Sequence, residues 1–234
     1  MELTSLNLFD QAVLLFASFV LFTSFVMLAQ ARIVPLIHTF AWQGALLAVT
    51  AALVAFATNH PHLYISAGIT FLLKALLIPW MLHRLAVRLN IHRDAETLRY
   101  PSLTLFAGAG LVVFSYYVAL PIVHLSVLTT RNTIAVSQAV VLLGMLLMIS
   151  RKKAIAQVIG FMSIENGLFF AAVVATYGMP MVVELGIAFD VLVAAVLFGV
   201  FFFQMRASID SLDVDRLNRL REVEEPPTAE VNRP

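Results

Sequence analysis

An all-α, polytopic membrane protein with seven transmembrane helices, N-terminus outside and C-terminus inside, is the fold class this sequence predicts. Three observations carry it. The 234 residues are 61% apolar and only 12% charged, against roughly 45–50% and about 25% in ordinary soluble domains. With a mean hydropathy of +0.91, a water-soluble globule would have to expose large apolar patches, so lipid is the expected solvent. The apolar residues also gather into seven runs near the ~20 residues that an α-helix needs to cross about 30 Å of hydrocarbon. The basic residues, finally, sit almost wholly on alternate connections.

The first run, 9–30, follows a segment that holds Glu2 and no positive charge, and it is too long for a cleaved leader, so it reads as a retained span. The second, 37–58, stops before Asn59-His60-Pro61-His62, a breaker-rich loop. The third, 63–85, carries Lys74 and Pro79, and arginines follow it. The fourth, 102–124, starts after Pro101, and the fifth, 130–149, stops before Arg151-Lys152-Lys153. The sixth, 154–176, carries Glu165, and the seventh, 181–205, opens after Pro180 and carries Glu184 and Asp190. Residues 1–205 thus form the membrane domain. Beyond it, 206–222 includes SIDSLDVDRLNRLRE, with Leu212, Leu217 and Leu220 near helical spacing, acids early and arginines late; this predicts a short cytoplasmic amphipathic helix on the membrane or on a partner. The last stretch, 223–234, has prolines and no aromatic residue and is expected to be disordered.

Cytoplasmic connections retain Lys and Arg. With the N-terminus outside, the inward segments hold Arg32; Arg84, Arg88, Arg93 and Arg99; Arg151, Lys152 and Lys153; and Arg206, Arg216, Arg219, Arg221 and Arg233. The outward segments hold only Arg131, and Lys74 lies within a span. The expected site is the inner cell membrane.

Several function classes fall away. A net charge of +1 with no basic, aromatic-interleaved patch gives no field for nucleic acid. The absence of cysteine removes disulfides, thiolate-bound zinc, iron–sulfur clusters and a cysteine nucleophile, so any redox centre belongs to another polypeptide. No HExxH, P-loop, GxGxxG or GxSxG sequence is present. His60 and His62, with no acid beside them, make a poor metal site, and His38, His83, His92 and His124 lie near membrane interfaces, where histidine is common. A membrane lysine on seven spans invites a retinal Schiff base, but microbial rhodopsins carry theirs on the last span and Lys74 is on the third. No catalytic residue, cofactor or metal is expected on this chain.

The ionisable residues inside the spans are the informative ones, because each costs about 2.5–3.5 kcal/mol at the bilayer centre on insertion scales. Lys74, in FLLKALLIP, and Glu165, in IGFMSIENGLFF, are central in their spans; Asp190, in VVELGIAFDVLV, lies roughly 13 Å into the seventh, and Glu184 about one turn in. Two readings stand for the three deep groups. They form a structural ion network that fixes helix register, or the acids hold and pass protons, since burial favours the protonated carboxyl and a nearby ammonium the ionised one. Glu184, behind Pro180, is either a relay member or a partner of the helix dipole. Gly186, Asp190 and Ala194 follow at i, i+4 spacing, a small-residue stripe that suits a close helix neighbour, and Gly160 and Gly167 share a face. The two acids are therefore expected across antiparallel neighbours. Pro79 is expected to break the helix ladder and free a carbonyl around Ala75 beside the ammonium.

These segments resemble a known family, the component E subunits of hydrogenase-4 and formate hydrogenlyase complexes. The resemblance rests on FLLKALLIP, RKKAIAQVIGFMSIENGLFF, GMPMVVELGIAFDVLVA and SIDSLDVDRLNRLRE, and covers most of 63–222. The last three spans, 130–205, further resemble the K subunit of respiratory complex I, in which the second and third helices carry a membrane carboxylate at the positions of Glu165 and Asp190; glutamate stands there where this chain has Asp190. The resemblance implies a membrane-arm subunit of a modular redox complex, with antiporter-like and complex I H-subunit-like membrane partners and a peripheral oxidoreductase module. It would carry no electron centre, would link its partner subunits and would supply Glu165 and Asp190 to a proton or sodium relay, with Lys74 a relay member or a counter-ion; Glu184 is the remaining relay candidate. The alternative is a cation/proton antiporter subunit or a stand-alone secondary transporter using the same acids. Such transporters commonly show paired inverted repeats with broken helices in both halves, whereas the acids here sit only in the last two of seven spans.

Overall fold

A computed structural model describes residues 8–58, 61–88, 101–121, 128–175 and 184–200. Its elements are α1 (Leu8–Ala29), α2 (Ile33–Thr58), α3 (Pro61–Thr70), a π-helical stretch (Phe71–Leu77), α4 (Ile78–Arg88), α5 (Pro101–Ala119), α6 (Leu128–Ser150) and α7 (Ala154–Ala175). Residues 184–200 are also helical (α8). No strand occurs among the described residues. Six stretches there are long and apolar enough to cross a membrane: Leu8–Ala29, Ile33–Thr58, Tyr64–Arg88, Pro101–Ala119, Asn132–Ser150 and Ala154–Val174. They coincide with the first six apolar runs; α8 falls within the seventh. The amphipathic helix expected at 206–222, the tail 223–234, and His60, His92 and His124 lie outside the described residues.

The chain divides into two compact units, residues 1–194 and 195–234, and of the second only 195–200 are described. Within the first, α2 is the hub, packing on α1, α3, the π-helical stretch, α4 and α7, while α1 also meets α5 and α6. The hub position follows from its sequence. Leu36, Phe40, Gln43, Leu47, Thr50 and Val54 recur every three or four residues and are all buried, whereas Trp42, Val49 and Phe56 on other faces are exposed. Large apolar side chains are exposed on every described helix, which suits a surface solvated by acyl chains.

Between helices in lipid there is little hydrophobic driving force, so close backbone packing holds them together. The α6–α7 hairpin is built this way. A methyl group added at Gly144 would lie 2.9 Å from the Ile164 amide nitrogen, at Gly160 2.8 Å from that of Met148, and at Gly167 2.9 Å from the Ser137 carbonyl oxygen. The two backbones touch, and only glycine allows it. Beside this hairpin, α5 is held through Gly108, wedged against Leu28 and Leu143, and through Ser115, whose hydroxyl donates to the Ala135 carbonyl at 2.6 Å.

Arg151, in the α6–α7 connection, is only 2% exposed. Its Nη2 donates to the Leu28 carbonyl at 3.1 Å and to that of Gln30, closing the C-terminal end of α1 with a cation where the helix dipole favours one. One charge of the Arg151-Lys152-Lys153 cluster is thereby spent inside the protein. Arg151→Met should lower the stability of the purified chain in detergent by about 1.5–3 kcal/mol, read as a drop in melting temperature. Arg151→Lys should recover only part of it, because the ammonium lacks the fixed donor directions by which Arg151 Nη2 meets both carbonyls. An unchanged melting temperature in the methionine variant would show that the cap carries no weight.

Candidate functional site

The third apolar run does not bend at a point. Pro79 has no N–H to return to the helix, and its ring would press on the carbonyl of Ala75. The ladder instead widens over Phe71–Leu77, with the Ile78 amide bonding back to the Leu73 carbonyl. The expected break in the ladder ahead of Pro79 thus takes the form of seven residues of π-helix, which is rare and often marks a functional site. Lys74 is at the centre of that stretch and fully buried. Helix α2 presses directly on it. A methyl group at Gly44 would meet Lys74 Cβ at 2.8 Å and its carbonyl carbon and oxygen at 2.9 Å. Gly44→Ala should therefore cost about 1–3 kcal/mol by overpacking, whereas Gly68→Ala, at which nothing lies within 4 Å, should leave the melting temperature near that of the unaltered chain. Equal behaviour of the two variants would contradict this close approach.

From that position the lysine side chain reaches two other helices. Its Nζ is hydrogen-bonded and ion-paired to Glu165 Oε2 on α7, donates to Asn166 Oδ1 at 2.9 Å, and lies 3.4 Å from Asp190 Oδ1 on α8. The Phe169 ring, one turn after Glu165, places its centroid 4.9 Å from the ammonium, a cation–π contact on the remaining side. Three charges that are costly singly are thus gathered into one set. The pairing is unequal. Glu165 is hydrogen-bonded to the lysine, while both Asp190 oxygens are buried and have no hydrogen-bond partner among the described residues.

The small-residue stripe on α8 makes this approach possible. A methyl group at Gly186 would lie 2.9 Å from the Phe169 ring and 3.6 Å from Glu165 Oε1, so α8 runs close against α7 at the level of the carboxylates. Asp190, one turn on, is wholly buried. Beside it an apolar cleft of about 400 Å³ opens between α7 and α8, lined by Phe161, Leu168, Leu185 and Phe189, with Glu165 at its wall. Glu184 is not brought to the cluster. It is exposed at the start of the described part of α8, about 9 Å along the axis from Asp190 at 1.5 Å per residue.

Two members of the polar surroundings escape a reading of the sequence. Gln43 is fully buried in α2 beside Gly44, accepts from Asn166 Nδ2 at 2.9 Å and donates to Ser24 Oγ on α1 at 2.8 Å. An amide next to a glycine inside an apolar run is a signal for interhelical hydrogen bonding, and Gln43 has that context. Ser24 has no such signal, since a serine in a membrane helix can bond to its own backbone and Ser18 does so here.

Fold and site together define an all-helical membrane protein with an ion cluster buried among its spans. The chain belongs to the same family as the uncharacterized protein Rv0085 of Mycobacterium tuberculosis, with which it is 34% identical over 189 residues, 80% of this chain and 86% of that protein. It is also similar to Hydrogenase-4 component E of Escherichia coli K12 and of Shigella flexneri, at 24% identity over 160 residues, 68% of this chain and 74% of the relative. No family model and no solved structure matches.

Proposed function

We propose that the chain is a membrane-arm subunit of a hydrogenase-4-like or complex I-related redox complex. It spans the inner cell membrane seven times with its N-terminus outside, and it contributes Lys74, Glu165 and Asp190 to a proton or sodium relay. The likeness to Hydrogenase-4 component E supports membership of a multi-subunit membrane complex. The observation that carries the relay is one buried ammonium set between two carboxyl groups on different helices, hydrogen-bonded to one and 3.4 Å from the other. In a dry interior charge must balance. One lysine and two carboxyls balance when one carboxyl holds a proton, so the set binds one exchangeable proton by its own stoichiometry. Movement of the ammonium from Glu165 towards Asp190 changes which acid keeps that proton, and this couples a shift of the π-helical stretch to proton transfer. Glu184 enters only as a favourable charge near the start of α8. The redox module and the antiporter-like and H-subunit-like membrane subunits are the partners; electron centres belong to them.

Purification from native membranes in mild detergent, followed by reconstitution of the chain alone in liposomes with a trapped pH dye, tests the subunit reading. Co-purification of other membrane subunits and no ion movement by the isolated chain are expected. Ion exchange by the chain alone would overturn the reading and favour a stand-alone transporter.

A further inference from the structure

The polar set continues past Lys74 on one side only. Asn166 takes the ammonium on its Oδ1 at 2.9 Å and donates from Nδ2 to Gln43 Oε1 at 2.9 Å. Gln43 Nε2 donates to Ser24 Oγ at 2.8 Å, and the Ser24 hydroxyl donates to the Val20 carbonyl at 3.0 Å. Three helices, α7, α2 and α1, supply this string, and none of its three side chains is more than 3% exposed. Its direction is set at the head. A charged ammonium only donates, so Asn166 must turn its oxygen to Lys74 and its nitrogen to Gln43, and the same logic orders Gln43 and then Ser24. Every donor points away from Lys74, and the negative end of each amide dipole points towards it, so the bonds reinforce one another.

We infer that Asn166, Gln43 and Ser24 are a positioning string that clamps the Lys74 ammonium from one side, so that Lys74 changes partners only between Glu165 and Asp190. The string contains no ionisable group and ends on a helix carbonyl. A proton entering it would have to be bound and released by two carboxamides in turn, which are neither acids nor bases near neutral pH, so the string terminates charge movement instead of extending it. Of the three ammonium protons, Asn166 holds one and leaves two for the acids. The charged groups that face Lys74 are Glu165 from α7 and Asp190 from α8; from α2 it meets the backbone of Gly44, and α1 reaches it only through the neutral string. The functional meaning of the clamp rests on the relay reading; its physical content does not.

The chain has three lysines, Lys74, Lys152 and Lys153, so ¹⁵N labelling of lysine gives a spectrum simple enough to follow the Lys74 Nζ protons in the full chain in micelles, assigned with Lys152→Arg and Lys153→Arg. Exchange of those protons with water should be slow in the unaltered chain. It should accelerate roughly tenfold or more in Gln43→Met, which keeps the volume and removes the side chain's hydrogen bonds to Asn166, Ser24 and the Val20 carbonyl. Ser24→Ala should accelerate it less, and Ser24→Thr, which keeps the hydroxyl, should match the unaltered chain. A merely space-filling role would lower the yield of folded protein without changing exchange in the folded fraction. Identical exchange in Gln43→Met and the unaltered chain would overturn the clamp. If Gln43→Met does not fold, identical exchange in Ser24→Ala overturns it. Because the readout needs no ion transport, failure of the relay in Glu165 and Asp190 variants and failure of the clamp give different results.

Discussion

Lys74→Met is expected to remove most of the folded protein from the membrane. Methionine matches the lysine stem in shape but brings no charge, so Glu165 and Asp190 would face each other uncompensated and Asn166 Oδ1 would lose its donor. Removing one partner of a buried ion pair costs about 3–5 kcal/mol, a large part of the roughly 5–15 kcal/mol that holds an ordinary domain together. The cause is charge and not volume, which a compensated variant can establish. Adding Glu165→Gln and Asp190→Asn to Lys74→Met makes the whole set neutral and should restore the protein to the membrane fraction with a melting temperature near that of the unaltered chain. Normal accumulation of Lys74→Met alone would mean that the acids do not depend on the lysine. Failure of the triple variant to recover would mean that its packing matters more than its charge.

How much of this was legible in the sequence depends on the kind of interaction. Helices were, because each apolar run must close its own backbone hydrogen bonds in lipid and therefore has one regular solution. The cost of burying Lys74, Glu165 and Asp190 was legible one residue at a time. That the three could form one network followed from that cost, but which of them meet was not legible, because depth along a span says nothing about which helices are neighbours, and Lys74 and Glu165 are 91 positions apart. The Gly160 and Gly167 spacing pointed to one close face on α7, but the matching Gly144 on α6 needed the hairpin register. Pro79 marked the third run as irregular. Its effect spreads backwards into Phe71–Leu77 because the neighbouring backbone at Gly44 leaves room for a widened turn at Lys74, and that room is a tertiary fact. Gln43 and Ser24 were hidden for the same reason: a lone amide or hydroxyl in a span has many possible partners until the helices are placed.

The relay itself is tested by removing the proton and keeping the shape. Glu165→Gln and Asp190→Asn each preserve side-chain volume and an oxygen facing Lys74, so the chain should still assemble with the partners proposed for it, yet neither amide can take up or release a proton. In the assembled complex in sealed vesicles, ions moved per redox turnover should fall by roughly tenfold or more in each variant, with subunit composition unchanged. Unaltered ion movement in both assembled variants would contradict the relay and leave Lys74, Glu165 and Asp190 as a fixed internal brace.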